Sequence, residues 1–457
     1  MVEDKDLTDD IVLSETGEFI APKTTRSKGY LLYLISILSL FQIYRSYTID
    51  GPKTTALVWY FFPNVEFELG LTYLSYVGLI AGLGGFLAIF VQKYADHIGR
   101  KPILILISLI MATMSLVQLL TDSLIIFTIA AFFITLAGSV NVWMIYMSEE
   151  APKGKNAIWS TIILMVGILG PIIFNISRFF FITNVKEFTI LHWKNVLYFS
   201  IIAGFVITAI IAYSFKETSA YEFKDLEVSK RKINETQETK ENHSVIGGIT
   251  KIFKSNTKKA YFTLLIVTIL VAIGFGAGNI IEPYMMNYSA MSSQEYSILV
   301  IVSLIGTAVI LYLITGKVAD SWGRKPLLII YSITYPISVI LQYLWAAHIT
   351  SAPLRFSIML PLKIIAMASR GGIWTLTTLI SIELIPTELR GVGNGLTTFV
   401  MIAISIVRLL IVAPLYPVFG IQMIGITLCF FMLPIVPLVY FLIPETRGRD
   451  LKRVEIY

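Results

Sequence analysis

The stretch Asp96-His97-Ile98-Gly99-Arg100-Lys101-Pro102 returns 224 residues later as Asp320-Ser321-Trp322-Gly323-Arg324-Lys325-Pro326. Each copy is wedged between long apolar runs and supplies an acid, a glycine, a basic pair and a proline. A very short, water-exposed turn between two membrane-crossing helices needs those residue types. Glycine permits the tight backbone, proline interrupts the preceding helix, and the charges hold the turn out of lipid. The repeat predicts a duplicated membrane protein whose halves share one plan.

Composition leads to the same class. With 56% hydrophobic residues, 14% charged residues and a mean hydropathy of +0.75, the chain has more apolar surface than a water-soluble globule can hide. Crossing a ~30 Å hydrocarbon core takes about 20 mostly apolar residues. Twelve such runs are predicted, at roughly 29–61, 71–92, 102–121, 124–147, 157–182, 191–215, 260–288, 294–316, 326–347, 356–382, 391–417 and 419–443. Of the 36 Lys and Arg, 27 fall in the tails and the even-numbered turns, against 3 in the opposite turns. That asymmetry predicts cytoplasmic termini, and a multi-pass protein, expected in the plasma membrane, follows from the number of runs. It also accounts for the basic balance without nucleic acid. Residues 1–28 lack a basic start followed by an apolar core, so they predict a cytoplasmic tail and not a cleaved signal. The one cysteine, Cys429, lies in the last run, which leaves neither a disulfide nor a cysteine-ligated metal within one chain. No cofactor and no metal are expected.

Residues 216–259 are dense in Lys and Glu and predict a cytoplasmic linker between an N-terminal bundle, 29–215, and a C-terminal bundle, 260–443, with 444–457 as a second tail. The end of the linker, 245–254, reads either as a short amphipathic helix along the anionic inner leaflet or as a solvated tether. Further echoes support duplication. Glu149-Glu150-Ala151-Pro152 returns as Glu383-Leu384-Ile385-Pro386, and Lys216-Glu217-Thr218 returns as Pro444-Glu445-Thr446.

On these landmarks the chain resembles the major facilitator superfamily, nearest to its sugar porters and metabolite:proton symporters. In that family the first cassette reads Gly, three residues, Asp, a base, any residue, Gly, Arg and a base. Gly316 to Lys325 fits except for Ser321, whereas the first copy has Gln92 for the glycine and His97 in the basic slot. The Glu, Pro, Arg-Gly signature is complete in Glu383, Pro386, Arg390 and Gly391, while its first copy carries Asn156-Ala157. The resemblance implies an all-α membrane protein of twelve transmembrane helices in two pseudo-symmetric six-helix bundles, rocking about a central site. It also assigns Asp96, Gly99, Arg100, Glu149, Asp320, Gly323, Arg324, Glu383 and Arg390 to gating, and directs spans one, seven and ten at the cavity.

Charges inside spans are the sharper signal, since each costs about 2.5–3.5 kcal/mol on insertion and persists when paired, hydrated or facing a cavity. Arg45, Asp50 and Lys53 stand in span one, Arg178 in span five, Glu282 in span seven, Lys363 and Arg370 in span ten, and Arg408 in span eleven. Arg370 lies 13 residues before Glu383, about 20 Å deep at ~1.5 Å per residue. Arg178, Glu282 and Lys363 lie nearer the outer surface, where they either snorkel or line the cavity. The deep excess of positive charge predicts a small organic anion as substrate, because a guanidinium grips carboxylate or phosphate with two parallel hydrogen bonds. Arg370 is the expected principal ligand and Arg45 and Arg408 its auxiliaries, with Asn141, Asn279 and Trp374 completing the cavity. Asp50, in an Asp-Gly element like that of aromatic-acid proton symporters, is expected to carry a coupling proton, with Glu282 as a second candidate.

The alternatives are a sugar or polyol porter on the same fold and a nutrient sensor that binds without translocating. Residues 272–279 lack the paired glutamines that the resemblance implies for a sugar porter. No phosphate loop supports an ATP-driven pump, and the scattered histidines support no enzyme. A monomer in the bilayer, with a proton and a small anion as its partners, is the expected working unit.

Overall fold

The computed structural model describes Tyr30, Tyr33 and residues 54–140, 142, 143, 146, 162, 165–182, 192–217, 245–288, 291–346, 348, 349, 351–385 and 390–446. Eight apolar helical runs among these are long enough to cross a bilayer, and Leu124–Ser139 and Met165–Phe181 are shorter apolar helices. Large side chains such as Ile125, Phe180, Tyr213 and Phe441 lie on the outer surface. A belt of that kind has no business facing water and fits lipid.

The helices alternate between two ends. In the first half they are α1 (Thr54–Phe61), α2 (Phe67–Ile98), α3 (Arg100–Leu120), α4 (Leu124–Ser139), α5 (Leu169–Phe181) and α6 (Leu197–Ser214). The linker contributes α7 (Val245–Lys254). The second half holds α8 (Lys258–Tyr288), α9 (Ser293–Ile310), α10 (Lys317–Ser321), α11 (Arg324–Ala346), α12 (Ala352–Leu384), α13 (Arg390–Val412), α14 (Tyr416–Phe430) and α15 (Ile435–Leu442). A π-helical turn, Leu311–Gly316, joins α9 to α10, so the predicted eighth span continues without a break to the second cassette. The predicted twelfth span is interrupted between Phe430 and Ile435, where Pro434 withholds a backbone donor.

The cassette turns are tighter than the sequence suggests. Between α2 and α3 only Gly99 is non-helical, at φ 105°, and Gly323 repeats this at φ 118°. Both angles lie in the left-handed region that favours glycine. Within each half, helices approach through small residues. Gly84 sets α2 against the Phe132 carbonyl of α4, and Gly204 sets α6 against Ala112 of α3. Ser115 and Ser200, 3.1 Å apart, and Thr208 donating to Ser108 at 2.8 Å add polar links between α3 and α6. Contacts between the halves run through α2 with α13 and α5 with α9. Gly82 and Gly85 of α2 face Ile406 and Ile402 of α13.

Of the two readings of residues 245–254, the helix forms. Ile252 is buried, Phe253 meets the Tyr261 ring edge-on, and the element packs against α13 at the cassette end.

Candidate functional site

At the cassette end, each half closes on an acid that lies far along the chain. Glu217 accepts the backbone N–H groups of Arg100 and Lys101 at 2.8 and 3.1 Å. Glu445 accepts those of Arg324 and Lys325 at 2.9 and 3.1 Å. These are the first, unsatisfied donors of α3 and α11, where the helix dipole favours a carboxylate. A side chain on Gly323 would fall 2.3 Å from the Glu445 carboxylate, so the glycine serves both the turn and the cap. Arg324 also pairs with Glu383 at 3.1 Å and donates to the Ala319 carbonyl at 2.8 Å. Thr446 donates to Glu383 as well. Burial pushes the Glu383 carboxyl above its ordinary value, against the pull of Thr446 and Arg324. The duplicated echo around Glu217 and Glu445 was visible in the sequence, but its capping role was not read from it.

The bonds of Arg100 and Lys101 to Glu217 lie within the first half, and those of Arg324 to Glu445 and Glu383 lie within the second. Asp96 and Asp320 lie in the last turns of α2 and α10, and Arg390 opens α13. Glu149 lies outside the described residues.

A cavity of about 780 Å³ lies between the halves. From the first half it is lined by α1 to α5, including Ser75, Gln118, Thr135 and Ser139. From the second it is lined by α8, α9 and α11 to α14, including Asn279, Tyr335, Gln342, Trp374 and Ser405. The charged lining residues among those described are Glu282, Lys363, Arg370 and Arg408.

Arg370 reaches the cavity as expected. Its guanidinium donates to Asn279 Oδ1 at 2.9 Å and sits 5.0 Å over the Phe275 ring. It makes no ion pair among the described residues. Arg408 donates to the Ala272 carbonyl at 2.6 Å. The glycines of α8 make room for both. A Cβ on Gly276 would fall 2.8 Å from the Arg408 side chain, and one on Gly278 would fall 2.7 Å from the Tyr335 hydroxyl and 3.3 Å from Arg370 Nη1. Helix packing alone does not explain these two glycines.

Asn279 and Trp374 join the lining, Trp374 being partly exposed to it. Arg45, Asp50 and Asn141 lie outside the described residues. The snorkelling alternative for Arg178, Glu282 and Lys363 is overturned, since all three are buried, at 0%, 6% and 8% exposure. Glu282 is paired with Arg178 across the two halves at 3.0 Å. They avoid the surface because Tyr296 of α9 offers both cations an aromatic face, 4.8 Å from Arg178 and 5.1 Å from Lys363. This pair and the bond from Thr72 to the Ala413 carbonyl, 2.9 Å, tie the halves together at the end away from the cassettes.

Sequence reasoning missed Gln118, Gln342 and Tyr335. The first two carried a signal: they stand 224 residues apart, the cassette offset, and both line the cavity. Tyr335 carried none. Its hydroxyl is buried against the Gly278 backbone, beside Arg370.

Residues 31–457 match the family described as sugar (and other) transporter. A Bacillus subtilis protein assigned to metabolite transport is 25% identical over 405 residues, covering 83% of this chain and 84% of the relative. The glucose transporter of Staphylococcus epidermidis is 22% identical over 411 residues, covering 83% and 86%. Among solved structures, the xylose transporter of E. coli in a partially occluded inward-open conformation superposes with a TM-score of 0.69 at 14% identity, over 92% of this chain and 99% of that one. Its inward-open conformation gives 0.65 at 16% identity, over 93% and 98%. The fold is therefore the twelve-helix major facilitator fold, in two related bundles.

Proposed function

We propose that this chain, which belongs to the sugar (and other) transporter family, is a proton-coupled secondary carrier of a small organic anion, working by alternating access. The observation that carries the reading is the electrostatics of the cavity. Its one described carboxylate, Glu282, is taken by Arg178, while Arg370 is satisfied by a neutral amide and an aromatic ring. A fixed guanidinium in a membrane interior is costly unless something negative or aqueous meets it. A carboxylate docked on Arg370 would offset its charge by two charge-assisted hydrogen bonds. Arg408, Asn279, Tyr335 and Trp374 would then position the rest of the solute.

The bundles, 29–215 and 260–443, rock about this site, with the cassette end cytoplasmic by the charge asymmetry of the loops. The Arg178–Glu282 pair and the Thr72–Ala413 bond must part for the opposite end to open. The gating residues at the cassette end keep each bundle rigid while it moves. Plasma-membrane placement and a monomeric unit complete the reading.

A neutral sugar is the second reading, favoured by the family and by the glucose and xylose transporters among its relatives. Gluconate and glucose separate the two, the first an open-chain polyol carboxylate and the second a neutral pyranose. In vesicles carrying the protein, labelled gluconate is expected to enter and to accumulate under an inward proton gradient, and Arg370→Gln should abolish its entry. Entry of glucose but not gluconate, unchanged in Arg370→Gln, would overturn the anion reading and leave the sugar porter.

A further inference from the structure

One carboxylate serves two cations in the buried cluster of Arg178, Glu282 and Lys363. Arg178 comes from the first half, on α5, while Glu282 and Lys363 come from the second, on α8 and α12. In this conformation Glu282 pairs with Arg178 at 3.0 Å. Lys363 makes no ion pair among the described residues and donates to the Tyr296 hydroxyl at 3.0 Å. The charges facing Lys363 are Glu282, Arg370 and Arg178, two of them like its own. Lys363 also lines the cavity, so a proton leaving it has a path to water.

We propose that Lys363 is the group that carries the coupling proton, and that Arg178 drives the proton off by competing for Glu282. The inference rests on the proton coupling proposed above and names its site. An arginine keeps its proton in a protein, whereas a buried lysine gives its proton up readily. While the halves are closed at this end, Arg178 neutralises Glu282. The Lys363 ammonium is then uncompensated beside two guanidiniums, and its N–H bond breaks in favour of cavity water, leaving a neutral amine on the Tyr296 hydroxyl. When the halves part, Arg178 leaves with α5. Glu282 and Lys363 stay together on the second half, and the amine regains a proton from the side then open. The cluster has one carboxylate and one compensated cation in both states. The proton is therefore taken up at the end away from the cassettes and released while that end is shut.

The test uses the full-length protein in lipid discs, its lysines reductively methylated with 13C, which preserves their charge and reports each amine's titration by NMR. The resonance missing from Lys363→Arg identifies Lys363. It is expected to titrate within the pH range over which the protein stays folded. Arg178→Gln, which frees Glu282, should move that titration to higher pH, and Glu282→Gln should move it lower. No titration in that range, or no response to Arg178→Gln, overturns the proposal. This readout needs no substrate, so it stands or falls apart from the anion reading. A flux measurement complements it. In Lys363→Gln, gradient-driven accumulation of gluconate should drop to the level without a gradient while exchange persists, and accumulation equal to that of the unmodified protein would contradict the assignment. A lack of proton-driven uptake in the unmodified protein would instead refute the coupling itself.

Discussion

Arg370 donates to the amide oxygen of Asn279 at 2.9 Å, and the two residues come from neighbouring helices of the second half, α12 and α8. A neutral oxygen holds the guanidinium in place without neutralising it. Asn279→Asp would supply a permanent carboxylate at the same position and remove the need for a ligand. The expected result is at least a tenfold loss of gluconate affinity, about 1.4 kcal/mol, in a protein of unchanged or higher melting temperature. Unchanged affinity would show that Arg370 does not meet the solute.

Gly278 keeps Tyr335 and Arg370 in place by lacking a side chain. Gly278→Ala puts a methyl 2.7 Å from the Tyr335 hydroxyl, so the ring or the helix must shift. Overpacking of this kind costs roughly 1–3 kcal/mol. Equilibrium binding should weaken more than stability falls, whereas Gly82→Ala, which faces the Ile406 side chain of α13, should leave binding less affected.

The caps of α3 and α11 are independent and should add. Glu217→Ala and Glu445→Ala each remove a carboxylate from two backbone donors, an expected loss of about 1–2 kcal/mol apiece. Because they lie in separate halves, the double variant should lose the sum. Thermal melts in one detergent would check it, and a double variant no worse than either single would contradict the separate clamps.

Much of this was legible because the chain is duplicated. The cassette offset located the turns, and the apolar runs located the spans that lie among the described residues, since both depend on local chemistry that a bilayer enforces. Arg370, Asn279, Trp374 and Arg408 were found by counting charges and polar groups in spans. What escaped was tertiary. Nothing in the order of residues shows that Arg178 crosses to Glu282, or that Tyr296 receives two cations. Tyr335 reads as one more aromatic residue until α8 places a glycine against it.

Glu383 gives a pH signature at the cassette end, beyond the membrane-crossing part of α12, Ala352–Ser381. Its carboxyl is raised by burial, so the folded protein holds that proton more tightly than the unfolded chain. The stability it contributes is present at low pH and is lost as pH rises from the ordinary carboxylate value, about 4.3, through the raised one. Glu383→Gln should flatten the melting temperature across that window. An unchanged slope would place the titration on another group.

The most direct test of the central claim is ligand-induced stabilisation of purified protein and of Arg370→Gln by gluconate and by glucose. A ligand that binds the native state alone raises the melting temperature in step with its concentration over Kd. The account predicts that gluconate raises the melting temperature of the unmodified protein, that glucose does so far less, and that Arg370→Gln responds to neither. Stabilisation by glucose that survives in Arg370→Gln, with no response to gluconate, would contradict it.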